Sequence, residues 1–401
     1  MAKFPSPIFR LPPPSSPPSS GEASEAEGIA DGKKLCAQNS LLISLPDDLL
    51  LKILSNLSAQ DIYYRASRVC RKLYYHTIRS EEFVNLHLRQ QTEDYGLLFR
   101  FIYNPTRGFV NDKYPSPHVA FVSMKQGRVT VSDHYYAYKS GFWSGCNGLI
   151  LEYNFPVPSS GVLVVNPVTG GAFRLPPLPE NKKFMQCCVG YVEASKAYKV
   201  ALSYYDAAGR DTRWAILTVG TDSWWRNLAT NQYSIDAAIR LPLVTEGFIY
   251  FFLQNTVLTL NLETEVMTEI RAPKHPKGKK QYLSTGKSLT LVVQVEEFVF
   301  QVWEMVCGDH SCYYWRKWEH QIALGNEIQS LFCIQPVGWL QQMEVLVFTS
   351  TSINEPCKVF YVIIATGEIG WITSILKGLV GGDYTLGCLP HKNTLVQLEG
   401  H

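Results

Sequence analysis

The spacing of hydrophobic residues changes along this chain, and the change marks out its parts. In LPDDLLLKILSNL, residues 45–57, apolar side chains recur at Leu49, Leu50, Ile53, Leu54 and Leu57, the i, i+1, i+4, i+5, i+8 spacing of one wide helical face. Pro46 followed by Asp47 and Asp48 is a helix-start signal, so the spacing predicts a helix over about 47–57. Ser58 and Asp61 offer fresh N-caps. Beyond them Ile62, Ala66, Val69, Cys70, Leu73 and Ile78 mark a second helical face, predicted to be broken into two helices. Three short helices in about 40 residues bury little surface of their own, so so apolar a face predicts a partner besides the rest of the chain.

From about 95 to 400 the texture is that of strands: β-branched and aromatic runs broken by Gly, Pro, Asn and Asp. A turn cue between two such runs recurs in VLVVNPVTGGAFRLPPLP (162–179), AILTVGTDSWWRNL (215–228), VLTLNLETEVMTEI (257–270) and VFYVIIATGEIGWITS (359–374). The turn threonines Thr169, Thr221, Thr264 and Thr366 are spaced by 52, 43 and 102, the last being twice 51. A degenerate copy is therefore expected near 310–318, in VFQVWEMVCGDHSCYYWRKW. Strand-only repeats of roughly 40–50 residues predict a β-propeller, here of about six blades, each sheet covering the face of the next. The competing architecture is a β-sandwich or a pair of stacked barrels with coincidental spacing. No Gly-His with a later Trp-Asp recurs, as a WD40 array requires. A double glycine with a following aromatic, as in kelch repeats, occurs at Gly381-Gly382 and Tyr384 without regular earlier copies.

Residues 1–40, rich in Pro and Ser and then in Glu, Ala and Gly, are expected to form a disordered arm. A transit peptide fits this stretch less well, because Arg is scarce and no amphipathic segment is evident. In 401 residues, 46% are apolar, 12% aromatic and 18% charged, which excludes general disorder. The net charge of +2 gives no global field toward nucleic acid or an anionic membrane. No uncharged apolar run is long enough to span a bilayer, and the N-terminus has no signal-peptide core, so the expectation is a soluble protein of the cytoplasm, the nucleus or both. Ten cysteines lie at 36, 70, 146, 187, 188, 307, 312, 333, 357 and 388 without any Cys-x-x-Cys, and are read as reduced thiols, mostly buried.

Candidate chemistry is sparse. A Gly-x-Ser-x-Gly elbow is missing around Ser144, and no phosphate loop, His-Glu-x-x-His or dinucleotide fingerprint occurs, so the chain is read as non-catalytic, without metal or cofactor. Cys307, His310, Cys312 and His320 have zinc-binding residue types, but their irregular spacing favours a plain loop with partly buried thiols. The run Lys274 to Lys280 reads as a solvated loop between blades, since no aromatic interleaves with its lysines to stack bases. Among the tryptophans, Trp143, Trp214, Trp224, Trp225, Trp303, Trp315, Trp318, Trp339 and Trp371, packing between blades is the default role. Sequence does not separate these from rim anchors.

Residues 45–83, LPDDLLLKILSNLSAQDIYYRASRVCRKLYYHTIRSEEF, resemble an F-box: Leu-Pro, an acidic pair, a Leu-rich helix with Ile-Leu and a closing Leu, an Asp before the second helix, then Val-Cys-basic. Leu73 stands where that family usually has Trp. The downstream half resembles the F-box-associated, degenerate kelch-like domains of plant F-box proteins through Ser144-Gly145-Cys146-Asn147-Gly148-Leu149-Ile150, Asn166-Pro167-Val168-Thr169, Leu175-Pro176-Pro177-Leu178-Pro179, Gly190-Tyr191, Tyr198-Lys199-Val200 and Thr221-Asp222-Ser223-Trp224. With the disordered arm that composition predicts over 1–40, the resemblance implies an α+β multidomain chain: a small three-helix F-box over 41–88 and an all-β, kelch-like propeller over 95–400. It further implies a substrate receptor of an SCF-type E3 ubiquitin ligase. Leu45, Pro46, Leu49, Leu50, Ile53, Leu57, Val69 and Cys70 would meet a Skp-family adaptor that leads to cullin and RING subunits, and the propeller would hold an unidentified protein substrate. The alternative is a free-standing interaction scaffold that uses the same propeller.

Overall fold

The computed structural model describes residues 45–69, 73–90, 95–103, 119–133, 141–153, 161–177, 183–205, 212–228, 241–253, 256–273, 278–307, 313–325, 328, 330–331, 333–350, 357–372, 384–396 and 398. The arm expected over 1–40 lies outside them. The chain falls into two compact units, residues 1–50 and 51–401, and the boundary lies within the first helix.

That helix, α1 (Asp47–Ser55), starts where the Pro46 carbonyl accepts the N–H groups of Leu49 and Leu50, both at 3.0 Å. The second, α2 (Ala59–Tyr64), is capped as the sequence indicates. Ser58 Oγ accepts the Asp61 N–H at 3.1 Å and donates to the Asp61 carboxylate at 2.7 Å. Beyond Tyr64 the predicted second face is broken into a 3-10 turn, Ala66–Arg68, and a π-helical turn, Leu73–Ile78. A third helix, α3 (Glu81–Gln90), leads into the strands.

Among the described residues, twenty-four strands form six four-stranded antiparallel blades. Blade 1 holds β1 (Tyr95–Tyr103), β2 (Val119–Lys125) and β3 (Arg128–Asp133). Blade 2 holds β4 (Gly141–Cys146), β5 (Leu149–Tyr153), β6 (Val162–Val165) and β7 (Ala172–Arg174). Blade 3 holds β8 (Lys183–Val192), β9 (Ala197–Tyr205), β10 (Thr212–Thr218) and β11 (Arg226–Asn227). Blade 4 holds β12 (Leu243–Thr245), β13 (Phe248–Phe252), β14 (Thr256–Asn261) and β15 (Met267–Arg271). Blade 5 holds β16 (Lys280–Ser284), β17 (Leu289–Glu296), β18 (Val299–Cys307) and β19 (Tyr313–Ala323). Blade 6 holds β20 (Ile334–Leu340), β21 (Val345–Ser350), β22 (Lys358–Ile363) and β23 (Ile369–Trp371). The last strand, β24 (Tyr384–Lys392), returns to blade 1 as its innermost strand, pairing with β1 from Tyr95↔Lys392 to Tyr103↔Tyr384. The inner strands β24, β4, β8, β12, β16 and β20 each neighbour the next, and β20 neighbours β24, so the ring is closed. This excludes the sandwich alternative.

Aromatic pairs bridge consecutive blades. Trp214 meets Phe251 at 4.3 Å between blades 3 and 4, Phe252 stacks on Tyr282 at 4.3 Å between blades 4 and 5, and Phe300 meets Phe348 at 5.1 Å between blades 5 and 6. Trp214 and Trp339 are fully buried core residues, whereas Trp224 is 72% exposed. Thr169, Thr221, Thr264 and Thr366 each occupy the turn between the third and fourth strands of a blade. The expected degenerate copy is the β18–β19 pair, whose turn, residues 308–312, lies outside the described residues.

The closure is fastened by the residues that carried the propeller resemblance. Ser144 Oγ accepts the Val189 N–H at 2.8 Å, joining blades 2 and 3. A Cβ at Gly148 would come within 2.1 Å of Thr394 Oγ1, so only glycine lets the segment after β24 pass. Thr394 Oγ1 donates to the Asn147 carbonyl at 3.0 Å. Buried Asn166 bonds in two directions. Its Nδ2 donates to the carbonyls of Thr394 (3.0 Å) and Val396 (2.7 Å), while its Oδ1 accepts from Val168 N at 2.8 Å. The segment 393–396 is therefore a strap tied to blade 2.

The thiols differ from the sequence reading. Of the described free cysteines only Cys187 and Cys188 are buried, with burial pushing Cys188 up to about 12, while Cys307 and Cys333 are exposed. Cys307 closes β18 beside a strand connection and Cys333 lies in the bend before β20, outside the packed blade faces, so both thiols are left in water.

Candidate functional site

Four of the five periodic apolar residues lie in α1, which ends at Ser55, two residues short of the end the spacing predicts, and Leu57 lies just beyond it; the five divide by exposure. Leu49, Ile53 and Leu57 are 50%, 47% and 37% exposed, while Leu50 and Leu54 are buried. Residues four apart stack along a helix, so Leu49 and Ile53 make an outward stripe, with Leu57 exposed just past the helix end, and Leu50 and Leu54 make the inward ridge beside it. Leu50, grouped with the contact positions on sequence, is therefore a correction: it is a core residue. Leu45 and Val69 are half-buried, Pro46 is exposed, and Cys70 lies outside the described residues. Tyr75, which the sequence reading did not single out, is 58% exposed in the π-helical turn, its ring edge-on to Tyr74 at 5.0 Å. An aromatic pair four residues past the Val-Cys signature was the available signal. The exposed large apolar residues of the propeller, Trp224, Leu241, Val266, Tyr314 and Trp371, belong to four different blades or their connections and form no comparable row along one element.

Rather than standing apart, the helices after Leu50 are seated on the propeller. Val84 and Leu88 of α3 pack against a core cluster that includes Leu149, Val164, Val189 and Val396, together with Leu398. The Tyr63 hydroxyl donates to the Thr169 carbonyl at 2.7 Å, and burial raises its pKa. Lys392 Nζ donates to the Leu88 carbonyl. Arg89 pairs with Glu193 at 3.2 Å, but both side chains are exposed and the pair adds little. Buried His87 meets the Leu57 carbonyl at 2.9 Å through Nε2, tying α3 to the end of the preceding helical stretch. Phe83, Val84, His87 and Leu88 follow i, i+1, i+4, i+5 spacing, the signal from which this seat is legible.

The propeller carries one ionic network between blades 3 and 4. Arg226 donates two hydrogen bonds to the Glu265 carboxylate, at 2.7 and 2.8 Å, and reaches Asp222 at 3.0 Å, while Lys199 meets Glu265 at 2.8 Å. Arg226 and Lys199 together hold the Glu265 carboxyl down to about 2. These groups bond one another across a blade seam, which is a structural arrangement. Among the described residues no three His, Cys, Asp or Glu side chains are placed to hold a metal ion. Of the zinc candidates, His310 and Cys312 lie outside the described residues, as do residues 274–277 of the basic run.

Two family models match the chain: an F-box-like model over residues 42–82 and an F-box associated beta propeller domain over residues 96–369. No curated protein sequence matches it. Among solved structures, similarity is found to the N-terminal domain of Nup159, with TM-score 0.34 and 12% identity over 70% of this chain and 67% of that one. A complex from S. cerevisiae of Dbp5 with Nup159, Gle1, IP6 and ADP gives TM-score 0.33 and 12% identity over 69% of this chain and 66% of that chain. A protein of unknown function from Bacteroides caccae gives TM-score 0.37 and 11% identity over 74% and 99%. This chain thus spans about two thirds of the first two. Likenesses this distant carry no functional argument.

Proposed function

The chain belongs to the F-box-associated beta-propeller family, and from that premise we propose that it is the substrate-recognition subunit of an SCF-type E3 ubiquitin ligase. In this reading the F-box-like segment docks a Skp-family adaptor, which joins it to cullin and RING subunits, and the kelch-like propeller captures the protein to be ubiquitinated. The chain itself performs no chemistry, needs no cofactor, and works in the cytoplasm, the nucleus or both.

The observation that supports it is the stripe of Leu49, Ile53 and Leu57 within the F-box-like match, apolar side chains held toward water at four-residue spacing. Completing their burial against a partner is worth roughly 2–4 kcal/mol, taking about 1.5–3 kcal/mol for each fully buried aliphatic side chain and counting only the fraction still exposed. That corresponds to a factor of roughly 30 to 1,000 in affinity. Leu45, Pro46 and Val69 flank the stripe in sequence order and are proposed to contribute at its margins.

The test is adaptor binding by full-length protein carrying Leu49→Ala and Ile53→Ala, compared with wild type by titration calorimetry against a purified Skp-family adaptor. The expected result is a loss of at least about tenfold with an unchanged melting temperature. Equal affinity would overturn the docking assignment. If adaptor binding is lost yet no propeller-bound protein changes its lifetime in cells, the free-standing scaffold reading replaces the ligase reading.

A further inference from the structure

Charge in the helical module is separated by sign. Residues 62–80 hold five cations, Arg65, Arg68, Arg71, Lys72 and Arg79, and no carboxylate. The acids lie to either side, in the first turns of α1 (Asp47, Asp48), α2 (Asp61) and α3 (Glu81, Glu82), where helix N-termini favour negative charge. On a chain whose net charge is +2, the cationic stretch makes a local field. The aliphatic stripe of Leu49, Ile53 and Leu57 does not account for it.

Arg65, Arg68 and Arg79 are exposed, as are Tyr75 and His76. Arg68 closes the 3-10 turn and Tyr75 sits in the π-helical turn; the two turns lie against each other, and Arg79 follows the second directly. Arg65 is answered by Asp61 at 3.2 Å. Among the described residues Arg68 and Arg79 make no ion pair, and the Arg79 guanidinium lies over the Tyr74 ring at 5.8 Å. Arg71 and Lys72 lie outside the described residues.

The propeller leaves these groups uncovered. With the module seated through Tyr63, Val84 and Leu88, both turns still present side chains to water, as Ile53 and Leu57 do. Arginine and tyrosine are the residue types enriched where protein surfaces meet, whereas lysine is depleted there. A nucleic acid on this module would leave the aliphatic side chains of Ile53 and Leu57 in water, so a protein fits it better.

From these observations we infer that the adaptor presents an acidic surface to Arg68 and Arg79, and that attraction between the two sets the rate at which the complex forms. The inference rests on the adaptor reading and adds to it the charge of the partner's face. It also divides the work: the cations speed the encounter, and burial of the aliphatic stripe slows dissociation. Exposed charges act in this way because they are felt across water before contact and contribute little once contact is made.

The experiment uses the full chain and a purified Skp-family adaptor. Association and dissociation are followed by stopped-flow fluorescence at ionic strengths from about 20 to about 300 mM, over which the screening length falls from about 20 to about 6 Å. The wild-type kon is expected to fall by about tenfold or more across this range, while koff changes by less than about twofold. Arg68→Gln combined with Arg79→Gln should lower kon at low salt by about fivefold or more and remove most of its salt dependence. Because Arg79 covers the Tyr74 ring, Arg68→Glu alone keeps the test open should the double variant disturb folding; it is expected to lower kon by about threefold or more. Adaptor binding with a kon that is insensitive to salt and equal in the variants would overturn the inference and leave the adaptor reading standing. A wild-type chain that does not bind the adaptor would overturn both. A labelled single-stranded oligonucleotide bound by wild type and not by the variants, with adaptor rates unchanged, would assign the cations to nucleic acid and overturn the inference alone.

Discussion

Replacing Asn166 by Ala tests how the propeller is held shut. Asn166 makes the same local turn bonds as Asn261, its counterpart in blade 4: Asn166 Oδ1 accepts from Val168 N at 2.8 Å and Thr169 N at 3.4 Å, and Asn261 Oδ1 accepts from Glu263 N at 2.9 Å and Thr264 N at 3.1 Å. Only Asn166 also donates to the strap, at Thr394 O and Val396 O. Asn261→Ala therefore measures the turn alone, and the difference between the two variants measures the tie. Two carbonyls left without this donor in a buried setting cost about 1–3 kcal/mol each, so Asn166→Ala should be at least about 2 kcal/mol worse than Asn261→Ala. Against a total stability of about 5–15 kcal/mol this is a large share. Urea unfolding followed by tryptophan fluorescence reads both, because Trp214 and Trp339 are buried at blade contacts. A difference below about 0.5 kcal/mol would show that the strap contributes nothing to closure.

Removing residues 382–401 takes away β24 and the strap together, and cooperative unfolding of the whole β domain should be lost; an unchanged single transition would mean that blade 1 closes without its inner strand. Glu265→Gln should destabilise the protein by no more than about 3 kcal/mol at pH 7. Because the Glu265 pKa is held down to about 2, its contribution is present above the ordinary carboxylate range and disappears as pH falls toward 2, so the gap between variant and wild type should close in acid. A gap that persists at pH 2 would place the effect in packing instead of charge.

The blade repeat was legible because the turn between third and fourth strands uses local chemistry, a threonine with glycine or an acidic neighbour, that recurs wherever the geometry recurs. The pairing of β24 with β1 was not, since Tyr384 and Tyr103 are brought together by the ring and no local signal announces a contact at that separation. In α1 the period gave the helix but not its orientation: Leu49-Ile53-Leu57 and Leu50-Leu54 are equally apolar ridges, and only packing decides which one the protein buries. Ser144, Gly148 and Asn166 stood out as family-like residues, and their role in fastening the ring became apparent only with the strap beside them.

The position of β24 also sets an order of events on the ribosome. The F-box-like helices and β1 emerge first, yet β1 cannot gain its inner neighbour until residues 384–392 have been made, nearly 300 residues later. At about 5–20 residues per second that wait is roughly 15–60 s. Throughout it one edge of β1 stands open and α3 lacks Val396 and Leu398 from its seat, the condition in which nascent strands recruit chaperones. A premature stop anywhere in this interval leaves the outward stripe of α1 complete and the ring open, yielding a chain able to occupy an adaptor while presenting no finished platform.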